Sequence, residues 1–129
     1  MFERSILRRI WGPIYGEANG EWRRRHNHEL RALTDFPPIT NIVRSSRLRW
    51  AGHVARKEDG QLVKEVMVGR PEGTRPLGRP RKRWIDNVKE DLNTLGVNPN
   101  DWRLVAENRS TWRQLVKAAK DHPGPMPPE

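Results

Sequence analysis

Between residues 69 and 80 the chain reads GRPEGTRPLGRP, with three glycines and three prolines in that one stretch. Proline removes a backbone donor and glycine adds backbone freedom, so no helix survives there and the segment is a linker. It separates a basic region over residues 1–68 from a C-terminal region over 81–121. Shorter breakers cut both regions again: Gly12-Pro13, Asp35-Phe36-Pro37-Pro38, Gly60 and Gly96. Only small elements fit between them. The last residues, 122–129 (HPGPMPPE), read as a disordered tail.

The intervals between breakers carry helical spacing of apolar residues. Residues 2–11 put Phe2, Ile6, Leu7 and Ile10 on one face, and a loop follows over 12–20. A second helix is expected from Glu21 to about Leu33 with Trp22, Leu30 and Leu33 inward. A third is expected from Pro38 or Ile39 to about Lys57, burying Ile39, Ile42, Val43, Trp50 and Val54, with Leu48, Ala51 and Ala55 widening the stripe. Gln61–Val68 fits either helix or strand. A fourth helix is expected from about Arg81, with Pro80 tolerated in its first turn, carrying Trp84, Ile85, Val88, Leu92 and Leu95. A fifth, from about Asn100 to Lys120, carries Trp102, Val105, Trp112, Leu115, Val116 and Ala119 and breaks near Asn108–Ser110, where Ser110 is a candidate cap. The fold class that follows is mainly α, a small assembly of about five helices.

Hydrophobic residues form 34% of the chain and charged residues 32%, which is enough for a small core around large anchors but not for a large one. Of the six tryptophans, Trp50, Trp84, Trp102 and Trp112 fall on apolar stripes and read as such anchors. Interleaved with arginine, the indoles also suit stacking on unpaired bases. There are no cysteines, which excludes disulfides and thiol chemistry and fits an intracellular chain. No apolar run is long enough for a membrane span.

The net charge of +9 calls for a polyanionic partner. Residues 84–129 carry six basic and seven acidic groups, so the whole excess lies upstream and the last third reads as a near-neutral support. Nineteen of the 25 basic residues are arginine, whose planar fork grips phosphate and stacks on bases. The densest run is Arg75-Pro76-Leu77-Gly78-Arg79-Pro80-Arg81-Lys82-Arg83. Its Gly-Arg-Pro core resembles an AT-hook, in which extended backbone and arginine fit a narrow minor groove. Leu77 stands where that motif has arginine, and the same run also reads as a nuclear-import signal or a solvated linker. Arg81, Lys82 and Arg83 at the start of a helix favour a bound phosphate there. Two further groups, Arg23-Arg24-Arg25 and the set Arg44, Arg47, Arg49 and Arg56, are candidate phosphate contacts, each equally compatible with a solvated helix face. His26 and His28 are two apart, so on a helix they diverge and do not chelate one metal. No nucleophile–base signature, phosphate loop or metal-binding aspartate pair is present, and no cofactor is indicated.

Several blocks in order resemble the C-terminal region of endonuclease–reverse transcriptase proteins of animal non-LTR retrotransposons. They are Phe2-Glu3-Arg4 through Ile10-Trp11-Gly12-Pro13, Gly20-Glu21-Trp22-Arg23 with Asn27-His28-Glu29-Leu30, and Arg47-Leu48-Arg49-Trp50-Ala51-Gly52-His53-Val54-Ala55-Arg56. Gly78-Arg79-Pro80-Arg81-Lys82-Arg83-Trp84, Trp102 and Asn108-Arg109-Ser110-Thr111-Trp112-Arg113 follow. The resemblance implies a non-catalytic segment that helps such an enzyme hold RNA or DNA, since the polymerase aspartates and endonuclease residues have no counterparts here. It also implies a nuclear or cytoplasmic location, the nucleus being favoured. Two other readings remain open: a helical module that docks on a polymerase domain, and a truncated remnant without independent function. Neither a membrane nor a small-molecule substrate is expected as partner.

Overall fold

The computed structural model describes residues 2–79 and 81–122. Among them are the helices α1 (Phe2–Trp11), α2 (Asn27–Ala32), α3 (Ile39–Ala55), α4 (Leu62–Val68), α5 (Trp84–Thr94), α6 (Trp102–Glu107) and α7 (Arg109–Asp121). One antiparallel pair, β1 (Ile14–Gly16) and β2 (Glu21–Arg23), lies between α1 and α2. The mainly α class holds, with seven helices among the described residues in place of about five. None is long and apolar enough to cross a membrane. The described chain divides into two compact units, residues 2–39 and Thr40–His122.

In the first unit a hairpin replaces the expected loop and the start of the expected second helix. Gly12 (φ 65°) turns the chain out of α1, and Gly20 (φ 68°) closes the hairpin turn by donating its N–H to Gly16 O at 2.8 Å. Tyr15 stands opposite Trp22, and their rings meet edge to face at 5.3 Å. That cross-strand pair uses Trp22 on the surface, 69% exposed, where helical spacing placed it inward. Helix α2 therefore starts only at Asn27, with the His26 N–H donating to Glu29 Oε2 at 2.7 Å.

Leu7 and Leu30 are the buried apolar side chains of this unit, while Phe2 and Ile10 remain exposed. Polar braces hold the rest. The Arg8 guanidinium donates to Arg25 O and to Asn27 Oδ1 at 2.7 Å, and Arg25 Nε donates to Gly12 O at 3.1 Å. Arg23 donates to both Glu29 oxygens.

The second unit is built around a close approach of α3 and α7. A Cβ at Gly52 would lie 2.0 Å from the Trp112 Nε1, inside any permitted contact. With no side chain there, the indole lies against the α3 backbone and donates its N–H to Leu48 O at 2.8 Å. Around it the core gathers Leu48 and Ala51 of α3, Val88 and Leu92 of α5, Trp102 and Ala106 of α6, and Ala119 of α7. Trp102 and Trp112 pack with ring centroids 5.9 Å apart. Helices on both sides of the Gly/Pro segment thus share one core, and α4 in between buries no residue fully.

The buried face of α3 keeps Leu48, Ala51 and Val54 of the expected stripe and loses most of the rest of it. Asn41, Ser45, Leu48 and Gly52 face inward with Ala51 and Val54, whereas Ile39, Ile42, Val43 and Trp50 are exposed. Small and polar residues win this face because α7 comes close, and Asn41 is satisfied there. Its Nδ2 donates to Lys120 O at 3.2 Å and to His122 O, closing carbonyls at the end of α7. Trp84, at 40%, is also exposed, so Trp102 and Trp112 alone of the four expected anchors are core residues.

Boundaries shift for local reasons. Helix α5 begins at Trp84 rather than about Arg81, and Pro80 lies outside the described residues. The last helical stretch does break, and its cap is Asn108 rather than Ser110: the Asn108 Oδ1 accepts from the N–H groups of Ser110 and Thr111 at 3.1 and 3.2 Å. Of the expected tail, His122 is described and residues 123–129 are not.

Two measurements check these units. Gly52→Ala should destabilise the second unit by about 1–3 kcal/mol through overpacking, read by urea unfolding of the full chain followed by tryptophan fluorescence. In the first unit, the Arg23 guanidinium, followed by the His26 N–H, holds the Glu29 carboxyl at about 2, below its ordinary 4.5. A depressed folded value means stabilisation that is complete above about 4.5 and lost as pH falls toward about 2. The protection factor of the His26 amide, taken relative to intrinsic exchange at each pH, should fall over that window and lose its pH dependence in Glu29→Gln.

Candidate nucleic-acid interface

Along the seam where Trp112 enters the Gly52 notch, α3 and α7 leave a groove of about 470 Å³. Arg49 of α3 and Arg56 just past its end line one side, and Arg109, Arg113, Lys117 and Lys120 line it from α7, together with Ser45 and Val116. No carboxylate is among the lining residues. The α7 cations recur every three or four residues and so share one face, spread over about 16 Å of helix axis. The Arg56 Nη1 donates to Ala106 O at 2.8 Å, which fixes its position. Burial, then the neighbouring Arg109 and Arg113 guanidinia, push Arg56 down from its ordinary value. Among the described residues these like charges are held together without an ion-paired acid, a costly arrangement that an external anion would relieve.

Only Arg49 and Arg56 of this groove stand out in the sequence as candidates; the four cations of α7 do not. Averaging the charge of residues 84–129 hides them, because the compensating acids sit elsewhere. Asp86, Glu90 and Asp91 belong to α5, and Glu107 to α6. The signal that reveals them is local: 109, 113, 117 and 120 at helical spacing, with Asp121 the single acidic residue of α7.

The other candidates are dispersed. Arg47 Nη1 donates to Asp91 Oδ2 at 3.0 Å and Arg44 Nε to Asp91 Oδ1 at 3.3 Å. Burial pushes the Asp91 carboxyl up from its ordinary value against the pull of Arg47 and Arg44. Arg47 is therefore a strut between α3 and α5, and the Arg44 Nη1 is buried without a hydrogen-bond partner. The trio at 23–25 splits into Arg23 on Glu29, Arg25 on Gly12 O and an exposed Arg24.

In the 75–83 run, Lys82 pairs with Glu90, while Arg75, Arg79 and Arg81 are exposed and form no ion pair among the described residues. At the start of α5 the Arg83 N–H donates to Asp86 Oδ2 at 2.9 Å, so Asp86 supplies the negative charge expected of a phosphate. His26 and His28 do not diverge, because His26 precedes α2 in extended geometry. Their rings lie nearly parallel, 5.7 Å apart.

With this geometry in view, the chain is similar to an uncharacterized transposon-derived protein of Caenorhabditis elegans, 28% identical over 117 residues. The likeness points to a transposon-derived origin. It covers 88% of this chain and 41% of the worm protein, so the chain spans less than half the length of that relative. No protein-family model matches the chain, and no solved structure does.

The Asp91 strut has a measurable consequence. Asp91→Asn leaves Arg44 and Arg47 uncompensated in a half-buried site and should cost about 1–3 kcal/mol in urea unfolding. Lys82→Gln, which breaks an exposed pair, should change the same midpoint by less than about 1 kcal/mol.

Proposed function

We propose that this chain binds nucleic acid through phosphate contacts along the α3/α7 groove. The observation that carries the reading is the row of six cations, from Arg49 to Lys120, with no carboxylate among them. A polyanion of regularly repeating charge matches such a row, and releasing its counter-ions supplies the free energy. The exposed Arg75, Arg79 and Arg81 of the Gly/Pro segment supply further contacts. The transposon-derived relative and the ordered blocks from Phe2 to Arg113 support a finer statement: the chain corresponds to the region that follows the polymerase domain of a non-LTR retrotransposon reverse transcriptase. There it holds element RNA or target DNA and performs none of the chemistry itself. On this reading the chain works in the nucleus.

A second reading rests on the exposed Phe2 and Ile10 of α1, 71% and 66% accessible, which give the first unit an apolar face. That face suits docking on a polymerase domain. It does not compete with the groove, which belongs to the other unit.

The test is a fluorescence-anisotropy titration of the full chain against labelled nucleic acid across a salt series. For about five phosphate contacts on duplex DNA, log affinity should fall with log salt at a slope of about −4 to −5. The double variant Arg113→Gln/Lys117→Gln should reduce the steepness by about 2, whereas Arg23→Gln, already paired with Glu29, should leave it unchanged. Absence of binding at low salt overturns the reading.

A further inference from the structure

Trp50 and Trp84 stand on one recess, bounded by α3, α4 and α5 and about 500 Å³ in volume. Both indoles are open to solvent, at 53% and 40%. Val54, Met67 and Ile85 supply apolar lining, and Arg83 is the single charged residue among those that line it. The Trp50 ring is backed by the His53 imidazole at 5.4 Å. The volume lies within the range of about 300–1,000 Å³ typical of sites for small molecular groups. An apolar recess with two half-open indoles and a cation at its edge fits a ligand that is flat, apolar on its faces and attached to an anion.

We infer that the recess takes an unpaired nucleobase, stacked on Trp50 and Trp84, with Arg83 and the neighbouring Arg79 and Arg81 meeting the adjoining phosphates. This rests on the nucleic-acid reading of the α3/α7 groove and narrows it to single-stranded segments. In a duplex both faces of each base are already covered by the stack and cannot reach an indole. An apolar protein segment would cover the same lining but would strip water from the Arg83 guanidinium without supplying a counter-charge. Among the described residues Arg79, Arg81 and Arg83 form no ion pair that would neutralise them internally.

The experiment compares three labelled probes of equal length with the full chain at one low salt concentration: an oligothymidine, its abasic counterpart and a duplex. The oligothymidine should bind on the order of 10-fold more tightly than the abasic strand, the difference being the stacked base. Trp50→Ala should remove that preference and leave the abasic affinity and its salt slope as they were. Trp50→Phe, which keeps an aromatic face, should retain most of the preference. Circular dichroism checks the fold of each variant, and the exposure of Trp50 makes its loss tolerable.

Equal wild-type affinity for the oligothymidine and the abasic strand overturns the base site. So does a preference that survives Trp50→Ala. In both cases the groove reading stands, because the abasic strand still reports phosphate binding. If Trp50→Ala instead abolishes self-association in sedimentation while the preference persists, the recess is a contact between copies of the chain and the base site is overturned. Failure of every probe to bind overturns both readings.

Discussion

The second unit depends on one steric fact: residue 52 has no side chain. The Trp112 indole occupies the space a Cβ would take and satisfies its own N–H on the Leu48 carbonyl, so the largest side chain of α7 is buried without an unpaired polar group. Once α7 lies that close, the α3 face beneath it has to be small, and Ser45 and Ala51 fit where bulkier residues would not. Trp102 then packs on Trp112, which draws α6 in, and Leu92 and Val88 of α5 complete the interior. A chain with few apolar residues thus obtains a core from two tryptophans and a notch.

The same seam organises the charge. Turning Trp112 inward turns Arg109, Arg113 and Lys117 toward the flank of α3, where Arg49 and Arg56 already project. The arginines of the chain accordingly divide by employment. Arg8, Arg23, Arg25, Arg44 and Arg47 satisfy carbonyls and carboxylates and hold elements in place. Those of the groove and of the Gly/Pro segment have no acid to neutralise them among the described residues, and they carry the proposed function. Net charge alone does not distinguish these two kinds of arginine, since both count equally toward it.

Most of the helices are legible in the sequence because breakers bound them: Gly12 ends α1, Pro37-Pro38 precede α3, and Gly96 follows α5. The hairpin is not legible, because strands of three residues are too short to show alternation and Trp22 looks like one more helical anchor. The inward face of α3 is hidden for a related reason. Hydrophobic spacing marks Ile42, Val43 and Trp50, while the residues that face α7 are an asparagine, a serine and a glycine. Two of the six groove cations were visible, as Arg49 and Arg56. The rest were obscured because acids on α5 and α6 cancel the α7 cations in a regional sum but not in space.

What the sequence determined by itself is the helical class, the helix-free Gly/Pro stretch, the polybasic character and the absence of thiol chemistry, all of which follow from local residue properties. Tertiary structure decided which arginines are struts and which stand open. It also decided which tryptophans are core and which line a recess. Those outcomes depend on contacts between residues as far apart as Gly52 and Trp112 or Arg47 and Asp91, and no local spacing encodes how closely two helices will approach.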